Sequence, residues 1–380
     1  MSPRADGPEE SWPTKIMAKA DTVRKRAPLK IRRPPVGASP GTLIADPAAR
    51  RSELRLTLIS PEKFKTIDNA SIDELNAHCE KWPVVWLDCT GLANIPLIEE
   101  IGRIFNLHPL ALEDVVNTGQ RPKVDFFEDH AFVVMRMIDD VTAHRYEQIA
   151  VFFGKNFVVT FQEREGDPFD PVRKRIAASM PNRLRSRGAD YLAYALIDAI
   201  VDSYFPPIEA AGEVVDGIED QMLNTPHKHQ MRQLHELRRD ANVLKGVLWP
   251  MRDALATLIR NDVPFVKAAT KIFFNDTLDH SLRLIELVEN QRDMLTGLIE
   301  MHLSLTQART NDVISYLTIV SVIFMPLTFL VGVWGMNFEP ESSPWNMPEL
   351  KAYYGYPAAL LLMLVVAVGL VAFFRWKKWL

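Results

Sequence analysis

Asn337 closes the tripeptide Gly335, Met336, Asn337 near the end of a run, Val313 to Phe338, that holds no Lys, Arg, Asp, Glu or His. A carboxamide oxygen can accept hydrogen bonds from the water shell of a cation without the grip of a carboxylate, which would hold the ion too firmly to release it. Ahead of it, Asn311, Ile314, Thr318, Ser321, Met325, Thr328 and Gly332 follow at alternating steps of three and four, so they share one helix face. Five of them, Asn311, Thr318, Ser321, Thr328 and Gly332, are small or polar. Hard oxygen donors recur upstream, with Glu113 beside Asp114, Asp198 one turn before Asp202, and Asp276 close to Asp279. Carboxylates on helices are commonly no more than solvated, and these residues alone do not say otherwise. The histidines, His280 among them, have no trustworthy ligand spacing, and His227 and His229 read as part of a helix-connecting loop. No nucleophile–base set stands out, so an enzyme is not expected. No Walker-type Gly-rich loop occurs, so no nucleotide is expected, nor is nucleic acid.

The elements that must carry these groups fall into two unlike parts. Residues 1–312 of the 380 are rich in charge, and residues 313–380 are mostly apolar. The run 313–338 is 26 residues, about 39 Å as a helix, and the uncharged run 352–374 is 23 residues; either can cross a hydrocarbon core of about 30 Å. The segment between them, 339–351, carries Glu339, Glu341 and Glu349 against Lys351, and 375–380 carries Arg375, Lys377 and Lys378. Positive charge stays inside, which puts the large N-terminal part and the C-terminus in the cytoplasm and the acidic loop outside, as in a multi-pass protein of the cell (inner) membrane. Trp345, Trp376 and Trp379 suit interfacial belts.

Residues 1–50 hold ten Lys and Arg against five Asp and Glu, together with many prolines, and read as a disordered basic tail able to touch anionic lipid. Residues 51–189 read as an α/β domain: "LRLTL", "PVVWLD", "HAFVVMRM", "QIAVFFG" and "NFVVTF" as strands, "PLIEEIGRIF" and "PLALEDVV" as helices. Residues 190–312 read as helices with breaks at "NTPHKH" and "NDVPF". The last helix should run from about Phe265 to Gly335, about 105 Å and too long for one globule, as a stalk entering the membrane. Cys79 and Cys89 are too few for a disulfide framework and are expected reduced.

Two readings of the polar stripe stand side by side. Small residues let helices pack closely in lipid. Alternatively, several copies surround an axis and the stripe lines a pore, which demands a homo-oligomer. The C-terminal end of the span carries a partial negative charge, Gly335 suits departure from helical geometry there, and Glu339 and Glu341 would gather cations nearby.

The stretch "LTIVSVIFMPLTFLVGVWGMNFE", followed by "MPEL" at Met347–Leu350, resembles the CorA family of magnesium channels, whose signature is Gly-Met-Asn at the end of the first span. "HPLALEDVVNTGQRPKVDFFED", "GDPFDPVRKRI", "DYLAYALIDAIVDSYF" and the terminal "KKWL" resemble the same family, over roughly residues 50–380. The resemblance implies an α+β fold: a cytoplasmic α/β/α domain, a long stalk helix and two transmembrane helices in a funnel-shaped homopentamer. It selects the pore reading. Asn311, Ile314, Leu317, Met325, Thr328 and Asn337 would line the pathway, and Gly335, Met336 and Asn337 would form the filter. Asp114 and Asp276 would hold a regulatory Mg²⁺ between subunits, with Glu113 and Asp198 in a weaker site beside it. Mg²⁺ is then both transported and regulatory, and Co²⁺, Ni²⁺ or Zn²⁺ are alternative cargoes. A membrane-tethered sensor without a pore is the rival from another class.

Overall fold

The computed structural model describes residues 39–44, 46–140, 145–164, 166, 168–178, 182–224, 228–336, 338, 341, 343 and 345–379. The basic tail, apart from its last residues, lies outside them, as do His227, Asn337 and Glu339. Two compact units meet between Leu298 and Ile299.

The first unit is built on seven strands: β1 (Glu53–Ile59), β2 (Phe64–Asp68), β3 (Val84–Thr90), β4 (Lys123–Phe126), β5 (His130–Asp140), β6 (Arg145–Gly154) and β7 (Phe157–Gln162). They form one sheet in the order β2-β1-β3-β7-β6-β5-β4. The β3–β7 pair is parallel and the others are antiparallel. The five expected strands are all present. β2 and β4, at the two edges, were not foreseen.

Period-two alternation sorts the side chains onto two buried faces. Val84, Trp86, Val133, Met135, Ile149, Val151 and Val158 enter one core, and Val85, Leu87, Phe132, Val134, Phe152, Val159 and Phe161 enter the other. Helices cover both faces. On the second core lie α1 (Ile72–His78), α2 (Ile95–Ile104) and α3 (Pro109–Val116). On the first lie α4 (Asp170–Ala177), α5 (Arg183–Ser186), α6 (Ala189–Asp202), and residues of α7 (Phe205–Asn224), α8 (Lys228–Arg260) and α9 (Ala268–Trp334). α6 is buried almost all round, which is what a helix between a sheet and further helices requires. Cys79 and Cys89 are both free thiols.

α9 is a single helix of 67 residues, about 100 Å long, and it belongs to both units. It starts three residues after the expected point, because Val263–Val266 forms a turn before it. The second unit contains its distal part, a 3₁₀ turn at Pro348–Lys351, and α10 (Gly355–Trp376). α9 and α10 are the two described helices long and apolar enough to cross a membrane.

Candidate functional site

Glu113 and Asp114 sit at the C-terminal turn of α3. His108 caps that helix, its Nδ1 accepting from the Leu110 amide at 3.2 Å, and Pro109 starts it without needing an amide partner. Ala111, Leu112, Val115 and Val116 are buried, so Glu113 and Asp114 take the opposite side. Glu113 Oε2 accepts from the Gly41 amide at 2.7 Å, which ties the segment before β1 to α3. Asp114 Oδ2 accepts from Lys123 Nζ at 2.7 Å, and the same ammonium reaches Asp125 Oδ2 at 2.6 Å. Partial burial works against the Lys123 charge, and the bonds to Asp114 and Asp125 outweigh it, holding its pKa above the ordinary value.

Behind α3 stands Gln148 of β6, only 4% exposed. Its Nε2 donates to the Asp114 carbonyl at 2.7 Å, and its Oε1 accepts from the amides of Gly119 and Gln120 at 3.0 and 2.9 Å. The Gln148 amide donates to Glu163 Oε1 at 2.9 Å, and the Arg164 amide donates to Glu147 Oε1 at 2.7 Å. Carboxylates thus take over where the β6–β7 ladder stops at Ile149 and Gln162. Burial first, and then the neighbouring Glu163 charge, push Glu147 up to about 7.

Asp198 and Asp276 lie in the other layer. Asp198 is in the last turn of α6, and Oδ1 accepts from Thr277 Oγ1 of α9 at 2.8 Å. Asp276, next to Thr277, is exposed. His280 Nδ1 lies 2.9 Å from Asp202 Oδ1 and 3.9 Å from Asp198 Oδ1. One ligand atom from each of Asp198, Asp202 and His280 falls within 4.8 Å of the other two, a spacing that could hold a metal ion. Burial, then the charges of Asp202 and Asp276, raise the Asp198 pKa against the pull of Thr277 and His280. His280 is the residue that sequence spacing missed: its partners are 78 and 82 positions away and meet it only because α6 packs on α9.

The structure brings Glu113 next to Asp114, and Asp198 next to the Asp276 turn. It keeps the two pairs in layers on opposite faces of the sheet, so one chain does not unite Asp114 with Asp276.

Further along α9 the stripe residues Ile314 and Met325 are 55% and 70% exposed, and Leu317, placed on the pathway by the family resemblance, is 63% exposed. Asn311, Thr318, Ser321, Thr328 and Gly332 are exposed with them. Exposure does not separate the stripe from the other faces of the helix, because Phe324 and Phe329 are equally bare. The hydroxyls do differ. Thr318 donates to the Ile314 carbonyl at 2.7 Å and Ser321 to the Leu317 carbonyl at 2.8 Å, so each is satisfied within the helix. Asn311 Oδ1 accepts from Gln307 Nε2 at 3.0 Å.

α9 ends at Trp334, and Gly335 falls in the turn that follows, where the chain is expected to leave the helix, with no left-handed φ. Its amide still donates to the Val331 carbonyl at 2.8 Å, and the chain tightens at Met336, which donates to Val333 at 3.2 Å. A Cβ at Gly335 would sit 3.1 Å from the Val331 carbonyl oxygen, a tighter contact than side chains ordinarily make. Trp334 Nε1 then donates to Glu349 Oε1 at 3.2 Å, tying the end of α9 to the "MPEL" turn.

An α/β/α unit, a 67-residue helix whose distal part is one apolar candidate span, and α10 as a second candidate span together suit a membrane protein. The model of the family described as CorA-like Mg2+ transporter protein matches residues 83–378. A cobalt/magnesium transport protein CorA of Thermotoga maritima is 38% identical over 348 residues, covering 90% of this chain and 97% of the relative. The complete CorA magnesium transporter structure from Methanocaldococcus jannaschii superposes with TM-score 0.73 at 21% identity, covering 86% of this chain and 98% of the other. The full-length CmaX structure does so with TM-score 0.67 at 20% identity, covering 88% and 100%. This chain belongs to the CorA-like Mg2+ transporter family.

Proposed function

We propose that the chain is a Mg²⁺ channel of the cell membrane, working as a homopentamer with both termini cytoplasmic, driven by membrane potential and closed by cytoplasmic Mg²⁺. The observation that carries this reading is the continuity of α9, which bears exposed Asp276 near one end and the Asn311–Gly332 stripe toward the other, and runs into Gly335 and Met336. Copies arranged about an axis place Asn311, Ile314, Leu317, Thr318, Ser321, Met325, Thr328 and Gly332 along a water path. Hydroxyls already bonded to their own helix make that path polar enough to wet, while Ile314, Leu317 and Met325 supply an apolar constriction that gates by dewetting. Gly335, Met336 and Asn337 crown it as filter. A divalent ion moving through 100 mV gains about 4.6 kcal/mol, so no nucleotide is needed, and no chemical step is assigned to the protein.

For regulation, Asp114 of one subunit and Asp276 of its neighbour hold a Mg²⁺, with Glu113 and Asp198 beside it. The placement of the two pairs on opposite faces of one chain's sheet supports a site completed between chains. Loss of the ion leaves carboxylates uncompensated, and the symmetric closed state loosens. Co²⁺ is a second cargo: the Thermotoga relative is named for cobalt and magnesium, and the imidazole of His280 beside Asp198 and Asp202 suits a softer ion than Mg²⁺. Asn337→Ala tests the filter. Uptake of Mg²⁺ by cells is expected to fall to background with the oligomer intact, and normal uptake removes the assignment.

A further inference from the structure

Lys123 lies one turn and one loop beyond Asp114 and belongs to β4, which among the described strands is an edge strand paired to β5. Its ammonium has three donors, and two of them go to carboxylates, Asp114 Oδ2 at 2.7 Å and Asp125 Oδ2 at 2.6 Å. The head group is held rather than waving. It sits 5.6 Å from the centre of the Phe132 ring, and the residue whose carboxylate it meets, Asp114, has its backbone carbonyl held by Gln148. The pair is neither fully exposed nor buried: the Lys123 side chain is 36% exposed and that of Asp114 23%. A charge there is shielded by water only in part, and it remains accessible to ions from solution.

An ammonium in contact with Asp114 is therefore where a metal ion would have to exert its pull. Both cations need the lone pairs and the negative charge of the same carboxylate. We propose that Lys123 is a tethered cation that competes with the divalent ion for Asp114, so that it sets the Mg²⁺ concentration at which the regulatory site fills. The inference rests on the reading of Asp114 as part of that site. With Mg²⁺ absent, the lysine bridges Asp114 and Asp125, offsets one of their two charges and keeps α3 and β4 together. With Mg²⁺ present, the ion draws Asp114 away, and Asp125 keeps hold of the ammonium. This division of labour gives Asp125 a purpose: it is the second anchor to which the lysine retreats. A weaker site is the consequence, and a site meant to report on cytoplasmic Mg²⁺ must release it when the concentration falls.

The experiment uses the full-length protein and reads the MgCl₂ concentration that half-protects it from limited proteolysis. Lys123→Met removes the charge and keeps the stem, Lys123→Gln does so with a polar end, and Lys123→Arg keeps the charge. The expected half-protecting concentration falls about fivefold or more for the Met and Gln variants and stays within about twofold of wild type for Arg. Asp114→Asn, run in parallel, is expected to lose protection. If it does and the Met and Gln variants protect at the wild-type concentration or above, Lys123 is a structural clamp and the inference is wrong while the site stands. If Asp114→Asn protects like wild type, the site reading fails and takes the inference with it.

Discussion

Thr277 of α9 donates its hydroxyl to Asp198 of α6 at 2.8 Å, and Thr277 is completely buried. The exposed Asp276 beside it is thereby set at a fixed angle to the layer that carries Asp198. Thr277→Val removes the donor and leaves a carboxylate oxygen unmet. The variant is expected to lose about 1–3 kcal/mol of stability, read as a lower thermal midpoint. An unchanged midpoint contradicts this role for the bond.

Asp276→Lys places a cation where the account needs an oxygen ligand. Protection from proteolysis by Mg²⁺ is expected to require about tenfold more ion or to vanish, because the ammonium both removes a ligand and repels the metal. Wild-type protection rejects the regulatory role of Asp276.

Glu147 gives a dependence on pH with a definite sign. Its folded-state pKa is raised from the ordinary 4.5 to about 7 by burial and then by Glu163. The folded chain binds that proton more tightly than the unfolded one. The stability it contributes is full below about 4.5 and is lost as pH rises through about 7. Glu147→Gln keeps an oxygen for the Arg164 amide and removes the charge. Thermal unfolding of wild type and variant is expected to agree near pH 5. Near pH 8 the variant should be the more stable by about 1–3 kcal/mol. Parallel pH profiles contradict the assignment.

Gly355 opens α10 against the "MPEL" turn. A Cβ there would fall 2.1 Å from the Glu349 carbonyl oxygen, a backbone atom that does not shift cheaply. Gly355→Ala is expected to cost about 1–3 kcal/mol and to shift the thermal midpoint of the detergent-solubilised protein down. A midpoint equal to wild type means the turn relaxes freely.

Much of the fold was legible because its strands are buried on both faces. "HAFVVMRM" and "QIAVFFG" are apolar enough to announce themselves, and they are β5 and β6. β2 and β4 carry few core residues; β2 is "FKTID", exposed along nearly its whole length, and β4 has four half-buried residues. Their strand state comes from pairing to β1 and β5, a tertiary cause that leaves no periodicity to read. α1 does carry a local signal, the capping box of Ser71 and Glu74.

Glu113, Asp114, Asp198 and Asp276 are proposed as site residues on the family resemblance, the first three within the stretches that carry it. Lys123 and His280 are not. Lys123 reaches Asp114 across the α3–β4 loop, and His280 reaches Asp198 from another helix, so neither pairing has a local spacing. Gly335 lies where the chain leaves α9, as its residue type suggests, but its tight approach to the Val331 carbonyl has no local signature.

The central claim is that the chain conducts Mg²⁺ and that Mg²⁺ itself closes it. Purified protein in liposomes, with a Mg²⁺ indicator inside and an inside-negative potential applied, measures both. The account predicts influx when the cytoplasmic face sees little Mg²⁺, and at least a several-fold slower influx when that face is loaded with it. No influx above protein-free liposomes, or influx indifferent to that Mg²⁺, contradicts it.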